Sequence, residues 1–439
     1  MRSKLPYLAL LGLMTALTKT VAGASEAAAL TLEDALRSAE QVNTGVLLGR
    51  EGVAQAQEQA NQTRAGVLPN VGLSAQQRRT SAVTIANNTA VAGAAANRFD
   101  GNLTGSFDIL NPQQLSALRA AHTGVDVAGF DYRTSIQVAL TSVAQTYFTH
   151  LRDLHRIPLL DDTVSRARQL LDLAVNQLSA GVATQIDVTR AKSELAQAEQ
   201  ARLQQDTVVY QSELALKRLL NLETAGTLQL ADFTVRRAAA GEYAAADEQA
   251  AYRQRADWLS AQKALERAKL DVRTARLERL PDLSLAGQYG YTGTEFDDGG
   301  KQTGWFAGAI VSVPVFNGLR TGADRRLALS RQRAQEYRLR DLELQISAEI
   351  RLALQDAGSR FRQIAVAETG LQLGQEELRL ARVRFEQGVA DNREVIDAQN
   401  TLALASDNYN EAIYQYNLSR LELARVRGDV RGILAEKTE

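Results

Sequence analysis

Gln177-Leu178-Ser179-Ala180-Gly181-Val182-Ala183, followed by Asp187-Val188, Ala191 and Leu195, returns in the same chain as Glu386-Gln387-Gly388-Val389-Ala390, followed by Glu394-Val395, Ala398 and Leu402. The offset is about 207 residues, so the chain reads as two copies of one large unit. A second match lies upstream of each segment. Val67-Leu68-Pro69-Asn70 before Leu73-Ser74-Ala75-Gln76 returns as Arg279-Leu280-Pro281-Asp282 before Leu285-Ala286-Gly287-Gln288. Each copy therefore carries the same parts in the same order.

Between the two matched segments, each copy has a very long helical run, residues 113–180 and 320–387. At ~1.5 Å per residue such a rod spans about 100 Å and needs neighbours along its whole length. A second helix is predicted after each turn, over 184–220 and 391–427. Its seam is a heptad of Val395, Leu402, Tyr409, Tyr416 and Leu423, beside the smaller Ala398, Ala405, Ala412, Ser419 and Val426. Val188, Leu195, Val209 and Leu216, with Ala191, Ala198 and Ser212, repeat it in the first copy. Small residues on one seam let helices approach closely, so this stripe is read as packing.

Upstream, Thr31-Leu32-Glu33-Asp34 reads as a capped start of a helix reaching about Ala65, and 66–69 ends it. Period-two alternation then marks strands at 71–80 and 101–110, joined by a loop rich in Asn, Ala, Thr and Gly. The second copy repeats them at 283–294 and 304–315. Tyr289, Tyr291, Trp305 and Phe306 lie toward the loop ends, where an aromatic girdle would sit on a membrane strand. The same alternation also fits a water-soluble hairpin with one buried face. Pro69, Pro281, Pro112 and Pro314 fall at strand boundaries, whereas Pro158 lies inside the first long helix and predicts a kink or break there.

Aromatic residues make up only 5% of the 439 residues, which points to long helices more than to broad globular cores. Arg2 and Lys4, the apolar run from Leu5 and the small Ala22-Gly23-Ala24 read as a signal peptide over 1–24. Without Arg2, Lys4 and Lys19 the balance is 47 basic against 51 acidic residues, which offers no basic field for nucleic acid. Cysteine is absent, excluding disulfides and thiol chemistry. No later stretch of ~18 apolar residues exists to make a membrane helix, so any entry into a membrane must use the strands. The units are placed at 25–220 and 250–430, with a linker at 221–249 and a tail at 431–439.

Four membrane strands cannot close a barrel, and an open edge in hydrocarbon leaves backbone groups unpaired at several kcal/mol each. Several chains must pool their strands. Two would give eight, with an interior filled by side chains; three would give twelve and a lumen, which suits the polar alternate face. The expected fold is mainly α with membrane β-strands, in two tandem repeats.

The order helix, strand, strand, long helix, helix, twice over, resembles the TolC-type outer membrane efflux proteins. The carrying residues are Thr31-Leu32-Glu33-Asp34-Ala35-Leu36, Val313-Pro314-Val315-Phe316-Asn317-Gly318, Arg384-Phe385-Glu386-Gln387-Gly388-Val389-Ala390 and Glu394-Val395-Ile396-Asp397-Ala398-Gln399. That resemblance implies a homotrimer in outer membrane lipid, a twelve-stranded barrel, and a periplasmic helical tunnel docked on an adaptor and an inner-membrane pump. The expected function is a passive exit duct for small molecules. A type I protein secretion duct is the first alternative, and a periplasmic structural coiled coil the second.

Gly181 and Gly388 suit the left-handed residue that ends a helix; Thr184 or Asp391 can cap the next, with Asp187 or Glu394 as capping-box partner. The resemblance gives these places further roles. It implies an acidic ring at the tunnel entrance from Glu394 and Asp397, with Asp187 the counterpart of Glu394 in the first copy. Arg190 departs by standing at the counterpart of Asp397, and Ala390 stands where some relatives carry a basic gating residue. It also implies adaptor contacts at Gly181, Val182, Ala183, Thr184, Gly388, Val389 and Ala390.

Enzyme readings do poorly. His122, His150 and His155 lack metal-ligand spacing, and Asp297-Asp298-Gly299-Gly300-Lys301 fails the phosphate-loop pattern at both Glu295 and Gln302. No catalytic residue, cofactor or metal is expected.

Overall fold

The computed structural model describes residues 29–81, 83–86, 89–233, 248–296, 302–387, 389–390 and 392–435. The signal-peptide segment, Asp297 to Lys301, Gly388 and Asp391 lie outside the described residues.

Thr31 caps α1 (Leu32–Val42), its hydroxyl accepting from the Asp34 N–H at 3.1 Å. The first helical region is not continuous. Asn43 ends α1, then caps α2 (Thr44–Ala65) by accepting from Gly45 N at 2.9 Å, while its amide donates to Leu219 O at 2.8 Å. A side chain that serves as cap and as tertiary tether favours a break over a run-through helix.

The strands follow at β1 (Asn70–Thr80), β2 (Val83–Ala86), β3 (Thr89–Ala92) and β4 (Ala96–Leu110). The segment read as loop thus contains a small β2–β3 hairpin, and the second long strand begins at Ala96, ahead of residue 101. Next come α3 (Pro112–Ser179) and α4 (Gln185–Leu219), then α5 (Glu248–Gln254) and α6 (Ala256–Leu277). β5 (Asp282–Gly293) and β6 (Gln302–Ser312) lead into α7 (Arg320–Glu386) and α8 (Asn392–Arg427). A short α9 (Gly432–Ala435) lies in the tail, where Ile433 is buried in the core.

α3 runs through Pro158 without a break. Proline removes one helical N–H and crowds the carbonyls of the preceding turn. The carbonyl left without its helical donor is Leu154 O, and just ahead of it the helix is tied to its neighbours: Gln205 Nε2 donates to Asp153 O at 2.9 Å, and Asn410 Nδ2 to Arg152 O at 3.3 Å.

The large sheet is antiparallel in the order β1-β4-β5-β6, so β1 and β6 are its two edges. Helices repeat this order. α2 and α4 pack on α3, α3 packs on α6 and α8, and these pack on α7. The molecule is therefore a wall one element thick, with strands at one end and the helix turns at the other. None of the described helices is long and apolar enough to cross a membrane.

At mid-height the wall thickens around Leu36, Leu140, Val143, Tyr147, Phe148, Leu216, Leu421 and Ile433. The buried Tyr147 hydroxyl binds two carbonyls, Leu30 O at 3.0 Å and Ala231 O at 2.5 Å, pinning the start of the chain and the segment after α4. His150 is buried beside it with Nδ1 2.9 Å from the Ser212 hydroxyl; burial holds its pKa below the usual histidine value. It is a buried core side chain.

Candidate functional site

Pairing register separates the two faces of the sheet, because directly opposed residues project to the same side. One face carries Val71, Leu73, Leu103, Phe107, Leu285, Tyr289, Tyr291, Trp305 and Val311. The other carries Ser74, Gln76, Arg78, Asp100, Asn102, Thr104, Ser284, Gln288 and Thr292. Apolar side chains on the first face stand open: Leu73 is 84% exposed and Trp305 78%. The eleven residues of β1 or β6 extend ~36 Å, which at the tilt of a membrane barrel spans the ~25 Å apolar band.

Tyr289 and Trp305 are directly opposed across β5 and β6, and Tyr291 follows on the same face. Phe306 pairs with Gln288 and projects to the polar face, so it does not join these three in a girdle. Phe99 lies on the same apolar face as those three, buried, with its ring 5.5 Å from Tyr291 and 5.3 Å from Phe296. Sequence reading started that strand too late to include it; the alternation Phe99, Leu103, Phe107 was the available signal.

Among the described residues, both sheet edges lack a partner strand, and both flanks of the helical layer expose apolar side chains. Tyr337, Leu344, Leu352, Val366, Leu373 and Leu380 are exposed along α7, and Ile186, Leu203 and Tyr210 along α4. Val315 (92%) and Phe316 are exposed where β6 joins α7. There the chain turns through Gly318 and Leu319, both at positive φ.

At the far end, one buried cluster joins Leu170, Ala174 and Val188 of the first copy to Leu378, Phe385 and Val395 of the second, so the two helix turns sit side by side. The first turn closes through Gly181 at φ +74°, a backbone that L side chains avoid. Thr184 and Asp187 form a reciprocal cap, Thr184 N donating to the Asp187 carboxylate at 2.9 Å. The Thr184 hydroxyl bond is the main reason the Asp187 pKa lies below the usual carboxylate value. Val182 and Val389 are both about two-thirds exposed at the tips, at 69% and 67%.

Each carboxylate named for the entrance has an arginine of its own chain. Glu394 lies 2.8 Å from Arg384 Nε, Asp397 lies 3.9 Å from Arg393, and Asp187 lies 3.8 Å from Arg190. The tips thus carry ion pairs, not bare acids.

The family described as "Outer membrane efflux protein" matches residues 35–222 and 235–429. The outer membrane protein OprJ of Pseudomonas aeruginosa is 24% identical over 391 residues, 86% of this chain and 79% of that one. The pyoverdine export outer membrane protein OpmQ of the same species is 26% identical over 333 residues, 75% and 68% of the two chains. Among solved structures, the outer membrane protein VceC of Vibrio cholerae superposes with a TM-score of 0.77 at 19% identity, covering 91% of this chain and 96% of that chain. With its doubled unit, four-stranded sheet and paired long helices matched over nearly its whole length, this chain belongs to the outer membrane efflux protein family.

Proposed function

We propose that three copies of this chain close into one barrel and one helical tube, forming a passive outer membrane exit duct for small molecules. An inner-membrane pump supplies the energy and a periplasmic adaptor joins the two. The carrying observation is that sheet and helical layer share one order and are open at the same two flanks. A single chain would leave β1 and β6 unpaired in hydrocarbon, at several kcal/mol per backbone group. Edge-to-edge closure removes that cost for both layers at once.

Small-molecule export is favoured by OpmQ, named for pyoverdine, at 26% identity. For docking, the exposed Val182 and Val389 give the tips apolar contacts, and Gly181, Ala183, Thr184 and Ala390 keep them narrow. Gly388 completes the set by its place in the sequence. Glu394, Asp397 and Asp187 with their arginines line the entrance in this reading.

The test is extraction from outer membranes, a heat-sensitive trimer band, and single-channel conductance of the purified protein. A stable water-soluble monomer would overturn the proposal and favour a structural coiled coil. For docking, Gly181→Leu is expected to abolish compound export while trimers assemble; unchanged export would remove the tips from the adaptor interface.

A further inference from the structure

The polar face of the sheet has its charges sorted by height. At the loop end stand Arg78, Arg98 and Asp100; at the helix end stand Asp108 and Asp282; the residues between are uncharged. Arg78 and Arg98 are directly opposed across β1 and β4, an arrangement that repels unless an anion intervenes. Asp100 is the resident anion. Its carboxylate lies 3.2 Å from Arg78 and 2.9 Å from Arg98, and Thr292 donates to it at 2.8 Å. Side-chain exposure is 13% for Asp100 but 48% and 56% for the arginines, so the carboxylate is enclosed and the guanidinium groups are presented. Two cations on one anion leave one positive charge per chain, fixed to β-strands on the polar side.

We propose that Arg78 and Arg98, repeated around the closed barrel, form a basic collar inside its outer mouth that draws small anions such as carboxylates, phosphates and sulfonates. This rests on reading the polar face as the lumen wall. A ring of fixed like charges raises the local concentration of the opposite ion, and mobile salt screens it within ~10 Å at 0.1 M. The collar therefore favours acidic cargo most at low ionic strength. The adjoining β5–β6 loop carries Glu295, Asp297, Asp298 and Lys301, so the collar is read from the change on its removal, not from the absolute selectivity of the duct.

Arg79 is the internal control, since it pairs with Asn97 on the apolar face one residue away. The full chain is reconstituted in planar bilayers and the reversal potential is read under a potassium chloride gradient at low ionic strength. Arg78→Gln with Arg98→Gln should lower the chloride-to-potassium permeability ratio about twofold or more, and high salt should erase the difference. Arg79→Gln should leave the ratio unchanged. Arg98→Gln alone, if the pair fails to assemble, should give a smaller shift of the same sign. Channels of normal conductance with an unmoved ratio in the arginine variants would overturn the collar while leaving the duct intact. A shift from Arg79→Gln alone would overturn the face assignment and the collar with it. Failure of the unmodified chain to conduct would instead count against the duct.

Discussion

Gln205 and Asp153 meet through a side-chain amide that donates to a main-chain carbonyl at 2.9 Å, within the two turns ahead of Pro158. Gln205 is 3% exposed, so the bond is shielded from water. Gln205→Leu is expected to cost about 0.5–1.5 kcal/mol by removing a buried hydrogen bond. Pro158→Ala should stabilise by up to ~3 kcal/mol by restoring an interior helical N–H. Chemical denaturation followed by helix ellipticity reads both signs.

Tyr147→Phe removes the one hydroxyl that holds Leu30 O and Ala231 O together in the mid-height core. A loss of about 1–2 kcal/mol is expected, together with faster proteolysis of the chain start before α1. Equal proteolysis of variant and parent would show that the Ala231 N to Leu30 O bond, at 2.9 Å, suffices alone.

Asp187→Ala breaks the reciprocal cap of α4 and should cost roughly 1 kcal/mol, confined to the tip and visible as faster hydrogen exchange there. The folded pKa of Asp187 is depressed, first by the Thr184 hydroxyl bond. Its contribution is therefore complete above the ordinary carboxylate range and is lost as pH falls through the depressed value. His150 acts in a separate window. Burial depresses its folded pKa against the opposing charges of Glu213 and Asp153, with Lys217 adding to the depression. Stability is full above the unfolded histidine value and declines as pH drops below it, and His150→Gln should flatten that part of the melting profile.

Arg384→Gln removes the 2.8 Å arginine partner of Glu394 at the helix tip. Both side chains are about half exposed, so the stability change should stay below ~1 kcal/mol. The tip gains negative charge, and with the tips lining the entrance of the proposed duct the potassium preference of single channels should rise. An unchanged ratio would place Glu394 away from the conduction path.

Long-range order was legible in this sequence because it rests on repetition. A heptad stripe and a proline-bounded strand pair, each written twice, place helices and strands to within a few residues. What escaped is decided by single side chains acting across elements. Asn43 breaks a helix by binding Leu219 O; Gln205 and Asn410 tie the stretch ahead of a proline to neighbouring helices. Phe306 illustrates the parity problem. Its type and position suit a girdle, but a shift of one residue along a strand reverses its face, and only the pairing with Gln288 reveals which face it takes. The i, i+4 spacing of Arg393 and Asp397 was visible in the chain, whereas the partnership of Arg384 with Glu394 depends on how the hairpin folds back.

In the proposed trimer, a wall one element thick, shared by strands and helices and sealed only at its flanks, makes each copy answerable to its neighbours. Damage to a flank, such as a charge placed at Leu373 on α7 or proline in β6, is expected to spoil a joint that recurs around this proposed ring. Cells making intact and flank-damaged copies together would lose more export than the damaged share of subunits alone accounts for, because one faulty seam opens the whole circle.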